Sequence, residues 1–357
     1  MTWTGGIRQC AAALTACVLI LTGSAASRAG PTLLIDTSTG DVLASENADA
    51  TWFPASLTKL MTAYVVFEAV KSSKIAWNGP LALSDKARGQ PATRIGLKPH
   101  IPLTIEGGVR GMIMRSANDF SMALAEAIGG SEEGFSELMN ATAKRLGMTR
   151  TRFANPHGLP DPEQITTARD MAILTLALLK DFPDRAEVFA TPQFVIHKGT
   201  FHSQNDLMRT FAGADGMKTG FTCGAGYNVV ASATRNGRRL IVVVLGAVTR
   251  PARSQRAAEL LQAGFDHVDG VKPLMEKTTR LADLAMSTAE LIPVHDMSRE
   301  TQTRKCGNRG PRLQVAKAGA GAKKKVEKMA AKATSNPATT KSSTTQASAK
   351  KAEAGKQ

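Results

Sequence analysis

Short apolar runs near the beginning and the end of the chain's central part predict β-strands. Thr32–Asp36 and Asp41–Ser45 flank a Ser-Thr-Gly turn and predict a hairpin. Tyr227–Thr234 and Arg239–Gly246 are rich in Val and Ile and are joined through Asn-Gly, which is a strong hairpin signal. The pattern therefore predicts two hairpins that are separated by most of the central part of the chain.

The segment between the hairpins carries apolar residues with helical spacing. Its longest run, Ser56 to Val70, has no internal Gly or Pro and predicts a helix whose first turn holds Ser56. Further helices are predicted at Thr104–Met114, Asp119–Ile128, Glu132–Leu146, Ala168–Lys180 and Ser254–Val268. Strands at both ends with helices between them indicate an α/β (α+β) fold, in which a central antiparallel sheet of early and late strands is covered by a helical block.

The hydrophobic pattern weakens after Gly270. One helix is predicted there, at Leu274–Leu291. From about Lys317 the chain is rich in Ala, Lys, Ser, Thr and Gln and has no aromatic residue, so it cannot bury enough apolar surface to offset its chain entropy and is expected to be disordered. The predicted parts are a signal peptide at 1–29, the main domain at 30–270, a short partly helical extension at 271–303 and a basic tail at 304–357.

The net charge is concentrated in this tail. The whole chain carries 45 Lys and Arg against 30 Asp and Glu, a net charge of +15. Residues 304–357 hold 14 Lys and Arg against 2 Asp and Glu, so the tail accounts for +12. Because the rest of the chain is nearly neutral, we expect no nucleic-acid partner. The tail is expected either to contact an anionic membrane or wall polymer electrostatically or to be a solvated spacer.

The first residues have the pattern of an export signal. Arg8 supplies a positive charge, and Cys10 to Leu21 form an apolar run that is too short to span a bilayer comfortably. Small residues suited to cleavage follow, up to Ala29. We therefore expect export to the periplasm or to the outer face of the cytoplasmic membrane, with an uncleaved N-terminal anchor as the alternative.

Cysteine and histidine usage argues against a disulfide framework and against a metal site. Cys10 and Cys17 belong to the predicted signal peptide, which leaves Cys223 and Cys306. A bridge between these two is possible but not expected, because Cys306 lies in the predicted tail. The chain has no Cys-x-x-Cys or His-Glu-x-x-His and its six histidines are scattered, so we expect neither a metal nor another cofactor.

Three short motifs follow one another along the chain: Ser56-Leu57-Thr58-Lys59, Ser116-Ala117-Asn118 and Lys218-Thr219-Gly220. Motifs of this form, in this order, are the signature of penicillin-binding proteins and class A β-lactamases. Each is weak alone, since Ser348 and Lys351 also fit the first pattern. Their positions strengthen the signal: the first motif opens a predicted helix, the second lies between two helices, and the third precedes the late hairpin.

The residue types in the first two motifs suit nucleophilic catalysis. A serine hydroxyl needs a base within hydrogen-bond reach, and residues i and i+3 share a helix face, so Lys59 is expected beside Ser56. Lys59 can accept a proton only if burial or a second cation lowers its pKa, and Lys218 is the candidate cation. Ser116 is expected to relay the proton to the leaving amine. Asn118 is expected to hold Lys59 and the substrate amide.

The third motif suits substrate binding. Lys218 and Thr219, together with Gly220, are expected to bind the terminal carboxylate of the substrate. A backbone N–H at the predicted helix N-terminus, that of Ser56, can stabilise a developing oxyanion. A second N–H is expected from Phe221, the residue after the motif.

Taken together, these segments resemble the low-molecular-mass penicillin-binding proteins, the D-alanyl-D-alanine carboxypeptidase family (serine peptidase family S11). The likeness runs from about Pro31 to Gly270 and includes Asn155-Pro156-His157-Gly158-Leu159 and Ala225-Gly226-Tyr227-Asn228. It implies the penicillin-recognising fold of serine transpeptidases and β-lactamases, removal of the terminal D-Ala from peptidoglycan pentapeptides, and covalent inhibition by β-lactams. Many members also carry a β-rich second domain with a membrane-binding helix, which this pattern does not predict.

Two other functions are compatible with parts of the sequence. A class A-like β-lactamase needs a Glu followed four residues later by Asn; Glu163 lies in the right stretch, but position 167 is Thr. A non-catalytic envelope-binding protein could act through the basic tail alone. Labelling with fluorescent penicillin would separate a non-catalytic protein from an acylating enzyme.

Overall fold

The computed structural model describes residues 30–91, 93–197, 199–271, 279–283, 296–297 and 306. The predicted signal peptide lies outside these residues, as does the predicted tail apart from Cys306. The strands are β1 (Thr32–Asp36), β2 (Asp41–Glu46), β3 (Gln193–Ile196), β4 (Gly199–His202), β5 (Ala214–Thr222), β6 (Gly226–Arg235), β7 (Arg238–Ala247) and β8 (Thr279–Arg280). The helices are α1 (Thr58–Lys71), α2 (Asp85–Arg88), α3 (Ile105–Arg115), α4 (Asn118–Gly129), α5 (Glu132–Leu146), α6 (Ala168–Asp181), α7 (Glu187–Ala190), α8 (Leu207–Thr210) and α9 (Arg250–Val268), with 3-10 helices at Ala55–Leu57 and Pro183–Arg185.

The central sheet joins strands from both ends of the described chain. Its order is β5-β6-β7-β1-β2-β8, and neighbouring strands are antiparallel. The first strand pairs with the last long one, for example Leu34 with Val242. The predicted antiparallel sheet of early and late strands is therefore confirmed, and so is the helical block between them.

Alternate residues of the strands pack on opposite faces of the sheet. Leu33 and Ile35 belong to the large core shared with α1 and α3 to α6, whereas Leu34 packs with Leu261 and Phe265 of α9. Side chains of a strand alternate between faces, so a continuous apolar run is buried on both sides. This explains why the sequences of the strands contain unbroken runs of Val, Ile and Leu.

Helix α1 is enclosed by the rest of the domain. Every residue from Leu57 to Phe67 is buried, polar ones included. A helix that is apolar around most of its circumference packs inside the core. As a result the side chain of Lys59 is buried, although a lysine side chain usually extends into water.

Strand β5 was not predicted, and one predicted helix was wrong in part. Lys218 precedes the β6–β7 hairpin, as expected, and it also lies inside β5, which extends to Thr222. Strand β5 contains two glycines and few β-branched residues, so its sequence does not have the composition that is typical of a strand. In the segment predicted as one helix, Leu274–Leu291, residues 279–283 form a short strand on β2 and a turn; the rest of that segment lies outside the described residues.

The structure also corrects the expectation for the cysteines. Cys223, in the turn between β5 and β6, forms a disulfide with Cys306. A second contact ties the same turn to the later chain, because the Met297 N–H donates to the Gly224 carbonyl at 3.0 Å. Neither link could be expected from a segment without a periodic pattern, since each depends on contacts distant in sequence.

Breaking this bridge is expected to destabilise the domain. The two cysteines are 83 residues apart, so Cys306→Ser should lower the free energy of unfolding by about 2–4 kcal/mol by releasing a long loop in the unfolded chain. Urea unfolding with and without dithiothreitol measures this. Reduced wild type should match the variant, and Cys223→Ser should match both; an unchanged midpoint on reduction would contradict the contribution of the bridge.

None of the helices in the described ranges is long and apolar enough to cross a membrane.

Candidate active site

Ser56 stands at the entrance to the buried helix α1. It lies in the 3-10 helix Ala55–Leu57, which continues directly into α1, and it is only partly buried. Lys59 follows one turn later and is completely buried, with its Nζ 3.0 Å from the Ser56 Oγ. The local spacing therefore places an accessible hydroxyl within hydrogen-bond reach of an amine removed from water.

The Lys59 amine has two further partners. Its Nζ donates to the Asn118 Oδ1 at 2.8 Å and to the backbone carbonyl of His157. A neutral lysine amine has two N–H donors and one lone pair. In the neutral amine these two acceptors would occupy both donors, which would leave the lone pair for the Ser56 hydroxyl and orient the amine as a base.

The carbonyl of His157 reaches Lys59 because the loop after Asn155 lies against the Ser56 turn. Gly158 has φ +82°, and a Cβ there would lie 1.9 Å from the Ala55 carbonyl oxygen, so only glycine fits. The Asn155 Oδ1 accepts from the Gly158 N–H at 2.8 Å. The Gln164 side chain binds the other side, donating to the Thr58 Oγ1 at 2.8 Å. The three motifs do not include the residues that make these contacts.

The second motif occupies the junction between α3 and α4. Ser116 ends α3 in the left-handed region (φ 60°, ψ 35°), which is strained for a residue with a Cβ and is typical of functional sites. Asn118 begins α4, and its amide is shared: Oδ1 accepts from Lys59, while Nδ2 donates to the Pro91 carbonyl at 3.0 Å. The Pro91 contact fixes which way the amide faces.

Strand β5 carries the third motif to the opposite side of Ser116. The Lys218 Nζ is 3.1 Å from the Ser116 Oγ and donates to the Thr219 carbonyl at 2.8 Å. A Cβ on Gly220 would lie 2.9 Å from the Pro54 carbonyl oxygen and 3.2 Å from the Ser56 nitrogen. Glycine therefore allows β5 to pass against the turn that holds Ser56. The structure brings all three motifs together around one cleft.

Burial dominates the electrostatics of the two lysines. It lowers the pKa of Lys59 well below its ordinary value; the charge of Lys218 lowers it further, and Asp119 opposes the shift. Burial also lowers the pKa of Lys218 to about 7, with a contribution from the charge of Arg253. Burial lowers the pKa of His157 to about 3, with smaller contributions from the charges that Lys59 and Lys86 carry when they are protonated.

The cleft in front of Ser56 has a volume of about 540 Å³. Ser116, Thr219, Gly220 and Phe221 line it, whereas Lys59 is enclosed behind Ser56. Its walls also include residues that the motifs did not reveal: Arg115, Arg209, Tyr227, Arg250 and Arg253. Four arginines on one cleft indicate an anionic ligand, a signal that appears only when distant segments are brought together.

Glu163 does not occupy the position that a deacylating β-lactamase base requires. Its side chain is exposed and pairs with Arg152 at 3.1 Å, and it is absent from the cleft lining. Thr167, at the expected Asn position, caps α6 by accepting from the Asp170 N–H. In the described part of the chain, no three His, Cys, Asp or Glu side chains are grouped as metal ligands.

Several known proteins are similar to this chain in sequence. The family model described as D-alanyl-D-alanine carboxypeptidase, Peptidase S11, matches residues 21–249. D-alanyl-D-alanine carboxypeptidase DacC from Escherichia coli is 42% identical over 254 residues, 69% of this chain and 64% of that protein. DacA from Haemophilus influenzae is 38% identical, covering 68% of this chain and 63% of that protein. The chain thus spans slightly less than two thirds of the length of these curated relatives.

Solved structures of penicillin-binding proteins are similar to this chain in fold. Penicillin-binding protein 5 from Haemophilus influenzae superimposes with a TM-score of 0.64 at 38% identity, covering 66% of this chain and 70% of that one. Penicillin-binding protein D2 from Listeria monocytogenes, in its ampicillin-bound form, gives a TM-score of 0.62 at 32% identity and covers 66% and 97%. With the family model matching more than half of its residues, this chain belongs to the D-alanyl-D-alanine carboxypeptidase family, Peptidase S11.

Proposed function

We propose that this chain is a serine-type D-alanyl-D-alanine carboxypeptidase that removes the terminal D-Ala from peptidoglycan pentapeptides. The observation that carries the proposal is the Ser56 Oγ, 3.0 Å from the buried Lys59 amine whose pKa lies well below the ordinary value. A buried amine with a lowered pKa beside a hydroxyl at a cleft is the arrangement that nucleophilic catalysis needs. Membership of the family supports this assignment.

Acylation would begin with proton transfer from the Ser56 hydroxyl to Lys59. The Ser56 Oγ attacks the carbonyl carbon of the D-Ala-D-Ala amide, and the N–H groups of Ser56 and Phe221 stabilise the oxyanion. The C–N bond then breaks as Ser116 passes its hydroxyl proton to the leaving nitrogen. Ser116 is reprotonated by the proton that Lys59 took from Ser56, so Lys59 returns to its neutral form. D-Ala leaves with a free amine, and the acyl group remains as an ester on Ser56.

Deacylation would repeat these transfers with water. Lys59 accepts a proton from water, the hydroxide attacks the ester, and the Ser56 Oγ regains its proton as the shortened peptide leaves. A β-lactam would acylate Ser56 in the same way, but its leaving amine stays tethered to the acyl group. The ampicillin-bound form of the Listeria relative supports the binding of β-lactams.

The terminal carboxylate of the substrate would lie beside Lys218 and Thr219. Lys218 is buried next to the Ser116 hydroxyl, and Thr219 lines the cleft. Arg253 lines the cleft and adds a second cation near Lys218, and its charge contributes to the low pKa of Lys218. A carboxylate placed between these cations would be held by charge-assisted hydrogen bonds.

Release of D-Ala from a soluble pentapeptide tests the proposed function, and amidation tests the anchor. Lys218→Ala should lower kcat/KM for the free-carboxylate peptide by about 10²-fold, because it removes a charge-assisted contact at the reacting end. Wild type should turn over the C-terminally amidated peptide poorly. Lys98→Ala, a lysine away from the cleft lining, is the control. Equal rates on the two peptides would contradict the anchor role.

We also propose that the chain acts outside the cytoplasm, in the periplasm or on the outer face of the cytoplasmic membrane. The proposed substrate belongs to the cell wall, and residues 1–29 have the pattern of an export signal. The basic tail would then hold the enzyme near anionic membrane or wall polymers, since +12 of the net charge is at 304–357.

Truncation after Gly310 tests the role of the tail. Activity on a soluble pentapeptide should stay within about twofold, because no proposed active-site group is removed. Binding to anionic vesicles or isolated sacculi should fall, most strongly at low salt, where charges are least screened. Equal binding by the full-length and truncated proteins at low ionic strength would favour a solvated spacer.

A further inference from the structure

A single carboxylate organises the arginines at one side of the cleft. Asp206 accepts two 2.6 Å hydrogen bonds from Arg250, from Nε to Oδ2 and from Nη2 to Oδ1. Arg209 donates to Oδ1 at 2.8 Å, and the Arg253 Nη2 donates to Oδ2 at 3.3 Å. We call these four residues the Asp206 cluster. It joins the segment before α8 to the first turn of α9, and its three arginines line the cleft.

Arg253 is the buried member of the cluster. Its side chain is 4% exposed, compared with about half for Arg209 and Arg250. The Nη2 also contacts the Ser254 Oγ at 3.2 Å, but the buried Nε has no hydrogen-bond partner among the described residues. A buried guanidinium with an unused donor is costly unless a ligand or water completes it.

The cluster carries more positive than negative charge. Three guanidinium groups share one carboxylate, so the cluster retains a net charge of +2 next to Lys218. Burial alone would raise the pKa of Asp206, but the hydrogen bond from Arg250 and the charges of the three arginines lower it, so Asp206 stays ionised at neutral pH. One carboxylate thus fixes the guanidinium groups without cancelling their attraction for an anionic ligand.

We propose that Asp206 is a positioning residue for substrate recognition: it holds the guanidinium of Arg253 in the cleft wall so that its remaining donors can bind the terminal carboxylate of the leaving D-amino acid. This proposal rests on the proposed carboxypeptidase function. Asp206 would not touch the substrate. It would set the orientation of Arg253 by accepting a hydrogen bond from Nη2. The two hydrogen bonds from Arg250 would keep the Asp206 side chain in place.

The alternative is that the cluster only fastens α8 to α9. The two roles differ in what they do to substrate choice. Loss of a fastening contact lowers turnover of every substrate alike, whereas loss of a carboxylate-positioning contact affects only substrates that end in a free carboxylate. The preference for a free over an amidated C-terminus therefore separates them.

The test compares Asp206→Asn with wild type on two peptides, an N-acetylated tripeptide ending in D-Ala-D-Ala and its C-terminal amide. The variant should raise KM for the free acid about tenfold and change kcat less than threefold, because a charge-assisted contact to the ground state is lost. The amide should react within twofold of wild type. Preference for the acid should therefore fall about tenfold, and Asp206→Glu should recover part of it.

Asp36→Asn is the matched control, because Asp36 also accepts from an arginine, Arg238 at 2.9 Å, but lies outside the cleft lining. It should leave the preference unchanged. Equal losses on acid and amide, or an unchanged KM for the acid, would overturn the positioning role. If Asp206→Asn does not fold, Asp206→Ser carries the same expectation. A wild-type protein that releases no D-Ala would instead refute the proposed function, which keeps the two failures distinct.

Discussion

Ser56→Ala is expected to abolish D-Ala release and covalent penicillin labelling together. The substitution removes the hydroxyl that lies beside the Lys59 amine and would attack the substrate carbonyl, so kcat/KM should fall by at least about 10⁴-fold. The fold should persist, because Ser56 is only partly buried and loses no more than a hydroxyl group. Fluorescent penicillin on a denaturing gel and a D-Ala assay measure both effects.

Ser348→Ala is the matched control for this prediction. Ser348 and Lys351 repeat the spacing of Ser56 and Lys59, but they lie in the predicted tail. Labelling and turnover of this variant should equal those of wild type. Labelling of Ser56→Ala at the wild-type rate would refute the assignment of the nucleophile.

Elements with a strong local pattern could be predicted from the sequence. The two hairpins and α1 are each specified by an apolar run of the right length and by turn residues at its ends. Their bounds agree with the prediction to within two residues for the strands. The three motifs were equally local, since each fits within four residues. Their convergence on one cleft follows from the sheet order, which places β5 at the edge beyond β6 and β7.

Features that depend on distant segments could not be predicted. The His157 carbonyl reaches Lys59 across 98 positions, and no side-chain pattern marks a backbone acceptor. In the sequence, Arg253 is only a basic residue near the start of a predicted helix. In the structure it contacts Asp206, which lies 47 positions away. The Cys223–Cys306 bridge was missed for the same reason. In each case one partner alone carries no signal.

A second large loss of activity is expected when Lys59, the proposed general base, is replaced. Lys59→Arg keeps a positive, donor-rich side chain, but a guanidinium does not give up its proton in the accessible pH range. Acylation should therefore fall by about 10²–10⁴-fold, the usual contribution of a general base. Raising the pH should not restore it. Rapid mixing with a chromogenic β-lactam measures acylation separately from hydrolysis, and thermal unfolding checks that the larger side chain is accommodated.

The pH dependence of wild type distinguishes this role from simple packing. Lys59 acts when neutral, and burial together with the charge of Lys218 lowers its pKa well below the ordinary value; kcat/KM should therefore rise with pH through that lowered pKa. Lys218 acts when charged, and burial together with the charge of Arg253 lowers its pKa to about 7, so kcat/KM should fall as Lys218 loses its proton. The two limbs belong to the coupled pair of lysines. In Lys59→Arg the rising limb should disappear while the falling limb remains. A variant that keeps the rising limb, or that acylates within tenfold of wild type, would mean that the proton of Ser56 goes to a group other than Lys59.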